Sequence, residues 1–376
     1  MLRRIAESLF WIGRYIERAD DQARVLTTYV EHTTDADSTT FSADLCHAMD
    51  TPVEETVDPD ETWSRLGIDP ESPQSMVSAL NNCRDSARRA REILATPTWE
   101  AINRSYRMAA SGRLSLMRPA LACREVHDSC STVIGTLHAT MPRDQAWHFL
   151  NAGRFIERID MTASIIHATV VAPALPAHHH LLLQACGAQQ SFVLTRGRED
   201  NLTAAVDFLL RDRLSPRSVI FCLEGVRSCL TDLDPTPLRS GLEDDSQRLL
   251  GQLSARIEYM QANKTLGQLG ELTHLSQETG AQGPPPGTRW PILRRRTVAA
   301  VARKVDDRDD KHPEDRTHHR LRLLGQCDRL LQRDPDESAV HPTAAHPRTQ
   351  RDHHTAALVE LLHRLVGNTG DRLRAA

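Results

Sequence analysis

The sequence predicts an all-α fold, a helical bundle built from two related halves, and three observations carry that prediction. Apolar residues recur at steps of four and three at Ile5, Leu9, Ile12, Ile16, Ala19, Ala23, Leu26 and Val30. They do so again at Phe149, Ala152, Ile156, Ile159, Ala163, Ile166 and Val170. This is the spacing of one face of an amphipathic helix. The two stretches also share an eight-residue phrase, Gly13-Arg14-Tyr15-Ile16-Glu17-Arg18-Ala19-Asp20 and Gly153-Arg154-Phe155-Ile156-Glu157-Arg158-Ile159-Asp160, 140 residues apart with six identities. Nowhere does the period-two alternation of a half-buried strand take over.

The first helix spans residues 2–31. Residues 33–73, rich in Thr, Asp, Pro and Ser, carry little periodicity and read as a loop or a poorly ordered excursion. Helical spacing returns over 74–94 in Met76, Leu80, Cys83, Ala87, Ala90 and Leu94. Pro97 interrupts it, and Thr98 opens a helix running through Ile102 and Tyr106. Residues 114–140 form another, with Pro119 near its start, where proline costs no helical hydrogen bond. A turn over 141–144 leads into the second copy of the phrase, on a helix over 145–171 that Pro173 and Pro176 close. Then come helices over 178–194 and 201–211. Pro216 fits the first position of a further helix through Val219, Leu223, Val226 and Leu230, and 243–275 give one more amphipathic stretch. These make a domain over 1–283. Residues 291–376 hold no Phe, Tyr or Trp and too few large apolar groups for a core. Residues 284–376 therefore read as a low-order Arg/His/Asp-rich tail, with an appended helical element over 356–366 or an altered reading frame as the other readings.

Composition narrows the function classes. Net charge is −4, with no basic excess to point to nucleic acid. Of the 46 basic residues 43 are arginine, a bias that argues against reading much into any single one. No run approaches the roughly 18 apolar residues of a membrane span. The apolar stretch after Met1-Leu2-Arg3-Arg4 is broken by Glu7 and Arg14, unlike a signal peptide. A cytoplasmic protein with no membrane or nucleic-acid partner is expected. The eight cysteines contain no C-x-x-C pair and read as buried, reduced small hydrophobes; Cys123/Cys130 and Cys222/Cys229 each share a helix face.

The repeated phrase supplies the candidate functional cluster, Arg14, Glu17, Arg18, Arg154, Glu157 and Arg158. At 100° per residue Arg14 lies almost opposite the apolar stripe, flanked by Glu17, Arg18 and Asp21, and Arg154, Glu157 and Arg158 take the same directions. Three readings follow. The face is solvated, its pairs worth a few tenths of a kcal/mol each. Or the two copies face each other, so that Arg14 or Arg18 reaches Glu157 while Arg154 or Arg158 reaches Glu17, as planar guanidinium forks suit. Or the arginines converge on an anionic group, with the glutamates orienting them or moving protons.

Other motifs carry less. No phosphate loop and no nucleophile elbow occurs, so no cofactor is implied and no catalytic residue is assigned. No metal is expected: Glu-x-x-His spacing is absent from both repeats and occurs only at Glu271/His274 and Glu360/His363. His178-His179-His180 reads as a surface run. Trp11, Trp99 and Trp147 read as core anchors and His148 as a structural hydrogen-bonder.

With the repeat in view, the chain resembles the bacterial alpha-E domain family, an α-helical domain named for its E-R motif. The residues that carry the resemblance are the opening 2–18, Ala87-Arg88-Arg89-Ala90-Arg91-Glu92 followed by Trp99–Asn103, Trp147-His148-Phe149, the second phrase with Met161-Thr162-Ala163, and Pro216–Leu223. Asp85-Ser86 stands where the family tends to carry Glu-Asn. The resemblance brings no reaction with it. It implies company with circularly permuted ATP-grasp and transglutaminase-like proteins, and so an accessory or binding role in peptide or amide-bond chemistry. An enzyme acting on a peptide-like or anionic substrate through the Arg/Glu clusters, and a structural oligomerisation module, stay open beside it, as does the oligomeric state.

Overall fold

The structure, a computed structural model, describes residues 3–32, 38–49, 51, 53, 56–171, 179–197, 199, 201–233 and 245–259. Among these the regular elements are all helical. Helix α1 (Arg3–His32) is followed by α2 (Ser38–Ala48) and α3 (Pro59–Trp63), which runs on as a π turn over Ser64–Ile68. Then come α4 (Met76–Arg89), α5 (Thr96–Ala110), a 3-10 turn (Arg113–Leu116), α6 (Pro119–Thr140) and α7 (Gln145–Val171). Last are α8 (His179–Ala185), α9 (Gln189–Arg196), α10 (Leu202–Arg211), α11 (Val219–Leu233) and α12 (Asp245–Glu258).

Helix α1 is the hub: α4, α6, α7 and α8 all pack against it. Its apolar residues Leu9, Ile12, Ile16 and Leu26 are buried, joined by Met76, Leu80 and Cys83 of α4 and by Cys123, Val126 and Cys130 of α6 in one continuous core. On the other side α7 lies between α1 and α11, while α10 and α12 close on α11. Caps fix several starts. Ser75 accepts from the Ser78 amide at 2.9 Å and Asn201 from the Ala204 amide at 2.7 Å.

Several sequence expectations need correction. The stretch 33–73 is not loop throughout; it holds α2, α3 and the π turn, whose core contacts are few, among them Leu45, Cys46 and Leu66. Pro97 does not interrupt a helix but sits in the first turn of α5. The single helix over 178–194 is two, broken where Gly187 takes φ +66, a conformation that side chains other than glycine rarely adopt. Pro216 is not a first helical residue; α11 opens at Val219, with the Ser218 hydroxyl accepting from the Phe221 amide at 3.1 Å. The amphipathic stretch over 243–275 is described only as far as 259. The tail over 284–376, both Glu-x-x-His pairs and His178 lie outside the described residues.

Candidate functional site

The face carrying the repeated charges is buried, which overturns its reading as a solvated surface. Arg14 is 1% exposed and both Glu17 and Glu157 are 0% exposed. The reason is the hub position of α1: its apolar stripe meets α4 and α6, and the opposite face meets α7 instead of water. A close approach of the two backbones permits this. A Cβ on Gly13 would run into the Leu150 carbonyl oxygen, and one on Gly153 into the Phe10 carbonyl oxygen.

Across that contact the charges pair reciprocally. Glu157 accepts from Arg14 Nε at 2.5 Å, from Arg18 Nε at 2.6 Å and from Arg18 Nη2 at 3.1 Å. Glu17 accepts from Arg154 Nε at 3.1 Å, and its Oε1 takes both Arg158 Nε at 2.7 Å and Arg158 Nη2 at 2.5 Å. All six residues of the candidate cluster are therefore brought together, each guanidinium reaching the glutamate of the other helix. Charged groups this deep persist because carboxylate and guanidinium satisfy each other with charge-assisted hydrogen bonds.

The sequence reading missed several members. Arg14 also pairs with Asp160. Arg217, in the turn before α11, donates from Nη1 to Glu17 and to Asp21, each at 3.0 Å, and reaches Asp20 from Nη2 at 3.4 Å. Arg24 holds Asp20 at 2.5 Å and also pairs with Asp21. On α6, half-exposed His127 places Nδ1 2.7 Å from Asp20. Arg158 further donates to the Pro216 carbonyl at 2.8 Å, and Arg154 to Asn151 at 3.3 Å, with His138 Nε2 3.1 Å away. A signal existed for Asp20 and Asp160, since both close the repeated phrase. Arg217, about 200 residues from its carboxylates, lies in the segment 216–223 that carries the family resemblance, but no repeat or periodicity ties it to Glu17.

The two phrases differ in what surrounds them. Where α1 has Asp21 and Arg24, the positions 140 residues on hold Met161 and Ser164, so the wider charge cluster lies beside Glu17 alone. Guanidinium neighbours, Arg158 foremost, pull the Glu17 carboxyl down to about 2 against its burial. Asp20 is likewise held well below the usual carboxylate range by Arg24, His127 and Arg217. Asp21 goes the other way: burial, with one carboxylate oxygen unpartnered and Glu17 and Asp20 nearby, pushes it up to about 7. Glu17, Asp20 and Asp21 offer oxygens within 4.8 Å of one another, a donor set of the kind hard cations use. Arg24 and Arg217 meet that charge here.

The remaining candidates lie around this network. Trp11, Trp99 and Trp147 lie at the rim of the core, each under a guanidinium: Arg14 at 5.6 Å, Arg91 at 5.3 Å and Arg143 at 3.5 Å from the ring centroid. His148 Nδ1 lies 3.5 Å from Asp232. The seven described cysteines are free and buried, and burial pushes the thiols of Cys83 and Cys222 up to about 12, far from a reactive thiolate.

Residues 1–282 match alpha-E, a predicted alpha-helical domain with a conserved ER motif. The chain belongs to the alpha-E family. In this alpha-E chain the letters E-R fall at Glu17-Arg18 and Glu157-Arg158, the core of the paired network. It is similar to an uncharacterized protein of Mycobacterium bovis, 28% identical over an alignment of 287 positions that covers 68% of this chain and 32% of that protein. Two uncharacterized proteins of Mycobacterium tuberculosis strains match over the same shares, at 28% and 27% identity. The chain thus spans about a third of the length of the curated relatives it matches. No solved structure matches it. No described helix is long and apolar enough to cross a membrane.

Proposed function

We propose that this alpha-E chain is a helical accessory or binding component of a peptide-modification system, working in the cytoplasm beside an ATP-grasp amide ligase or a transglutaminase-like protein. The observation that carries the choice of binder over enzyme is the mutual pairing of the repeated charges. Arg14, Arg18, Arg154 and Arg158 direct their forks at Glu17 and Glu157, so the cluster acts as an internal clamp and offers little to a substrate. The domain is read as two related helical halves over 1–283 whose motif helices the clamp joins, with 284–376 as an appendage. The mycobacterial relatives support the accessory role, because the matched region there is about a third of a longer protein and so works joined to other polypeptide.

Co-purification of the full chain from its native host, followed by mass spectrometry, tests this. An ATP-grasp or transglutaminase-like protein is expected in stoichiometric amount. Recovery of the chain alone, together with turnover of a peptide-like substrate by the purified chain, would return the assignment to an enzyme.

A further inference from the structure

In a chain with 50 carboxylates among 376 residues, residues 101–124 hold none, against five arginines: Arg104, Arg107, Arg113, Arg118 and Arg124. All five are exposed. The fold gathers them towards one end of a hairpin. Ser105 meets Ser129 at 2.7 Å and Thr98 meets Thr140 at 3.0 Å, so α5 and α6 run antiparallel and the turn between them caps the pair. Arg107 and Arg124 lie within about 8 Å of that turn along their helices. Buried Leu114 anchors the turn, and Gly112 reverses the chain at φ +70. The Ser115 and Met117 amides close on the Gly112 and Leu114 carbonyls at 3.2 and 3.3 Å. On this held turn Leu116 stands 90% exposed, the most exposed large apolar residue among those described, and Leu121 is 52% exposed. The first carboxylate along α6 is Glu125, which Arg113 takes at 2.8 Å, and the next, Asp128, lies a turn deeper. Arg107, Arg118 and Arg124 form no ion pair among the described residues. The other exposed leucines stand beside arginines already taken. Leu214 adjoins Arg213, held by Glu224 and by Glu258 at 2.6 Å, and Leu194 lies two residues from Arg196, which reaches Asp207 at 3.4 Å.

We infer that the α5–α6 turn is a contact for an anionic lipid bilayer: Leu116 and Leu121 enter the headgroup region while Arg107, Arg113, Arg118 and Arg124 receive the lipid phosphates. Apolar insertion and basic attraction are each weak alone and together suffice for reversible surface binding. Guanidinium forks match phosphate oxygens. Charge at the contact decides the sign of the attraction, and the net −4 of the chain counts for little. Charges more than about 8–10 Å away are screened. The leucines select lipid over nucleic acid, whose phosphates offer nothing to a projecting aliphatic side chain and whose bases stack on bare aromatic faces. They also select lipid over protein. A side chain standing this far out of a turn needs a pocket shaped for it on a protein, whereas fluid lipid opens around any shape. Lipids also diffuse laterally to meet arginines set on two helices and the turn between them. The lack of a spanning run, on which the expectation of no membrane partner rested, bears only on crossing a bilayer; a surface contact needs no such run. A chain held at a membrane in this way keeps its accessory role, which rests on other residues.

The experiment is co-sedimentation of the full chain with vesicles of equimolar phosphatidylglycerol and phosphatidylcholine, and with vesicles of phosphatidylcholine alone. The variants are Leu116→Ser, the pair Arg118→Gln with Arg124→Gln, and Leu214→Ser as a control for an exposed leucine off the turn. Every altered side chain is exposed, so each variant should fold, and circular dichroism verifies it. The wild type and Leu214→Ser are expected to sediment with the anionic vesicles and to stay in solution with the zwitterionic ones. Leu116→Ser is expected to lower the partition coefficient at least about threefold, and the paired arginine change at least about tenfold. Absence of binding to the anionic vesicles, which would leave the turn to a protein partner, or equal binding to both vesicle types would overturn the inference. So would undiminished binding by either turn variant, or a loss as large in Leu214→Ser.

Discussion

Gly13 and Gly153 make the same contact in opposite directions, each lying against a backbone carbonyl of the other's helix, Leu150 for the first and Phe10 for the second. In the following turn of each helix comes the glutamate that the opposite arginines grip. The glycines set the spacing of α1 and α7, and that spacing lets side chains as long as arginine reach across while staying buried.

Adding one methyl group at either glycine should therefore disturb the whole network. Gly13→Ala and Gly153→Ala are each expected to destabilise the fold by about 1–3 kcal/mol, as overpacking does, and more if the helices must separate. Urea denaturation measures this. Because both obstacles are backbone carbonyls, which cannot rotate away, a change below about 0.5 kcal/mol would mean the helices are not in this contact.

Losing either glutamate's charge should cost stability. Glu17 receives Arg154, Arg158 and Arg217, and Glu157 receives Arg14 and Arg18. Glu157→Gln and Glu17→Gln are each expected to cost about 2–4 kcal/mol, since each leaves buried guanidinium groups uncompensated. Losses under about 1 kcal/mol for both, the range of exposed pairs, would contradict the burial described.

Around Glu17 the pH dependence should run against the common pattern. Asp21 is raised from 3.8 to about 7 by burial, so folding takes up a proton there, and its stabilising effect is lost as pH rises from about 4 to 7. His127 is raised above 6.5 by its hydrogen bond to Asp20, so its contribution is full below 6.5 and fades as pH climbs through the folded value. Glu17, lowered to about 2, acts oppositely but only below its ordinary 4.5. Between about pH 5 and 8 the melting temperature should therefore fall as pH rises, and Asp21→Asn should flatten most of that slope. A wild-type curve that is level over this window, or one that Asp21→Asn leaves unchanged, would refute the assignment.

Much of the fold was legible because periodicity reports burial. The boundaries of α1 and α7 lie within a residue or two of the expected ones, and the reciprocal pairing was among the readings the repeated phrase allowed. What the sequence hid has physical causes. An amphipathic pattern identifies an apolar face but not what covers the polar one, and α7 covers that of α1. Helices α2 and α3 went unseen because Ser, Thr and Asp dominate them and only a few side chains, such as Leu45 and Cys46, reach the core. Arg217 belongs to no periodic pattern; only the packing of α11 against α7 brings it to Glu17.

The E-R phrases hold α1 and α7 together by direct, buried pairing, and a double-mutant cycle on Arg14 and Glu157 is the decisive test. Arg14→Gln, Glu157→Gln and the double variant are unfolded in urea and the coupling is taken from the four stabilities. A favourable coupling of about 2 kcal/mol or more is predicted, with the double variant less damaged than the two single losses combined. Coupling within about 0.3–0.5 kcal/mol of zero, the additivity expected of independent sites, would mean that the two side chains do not pair.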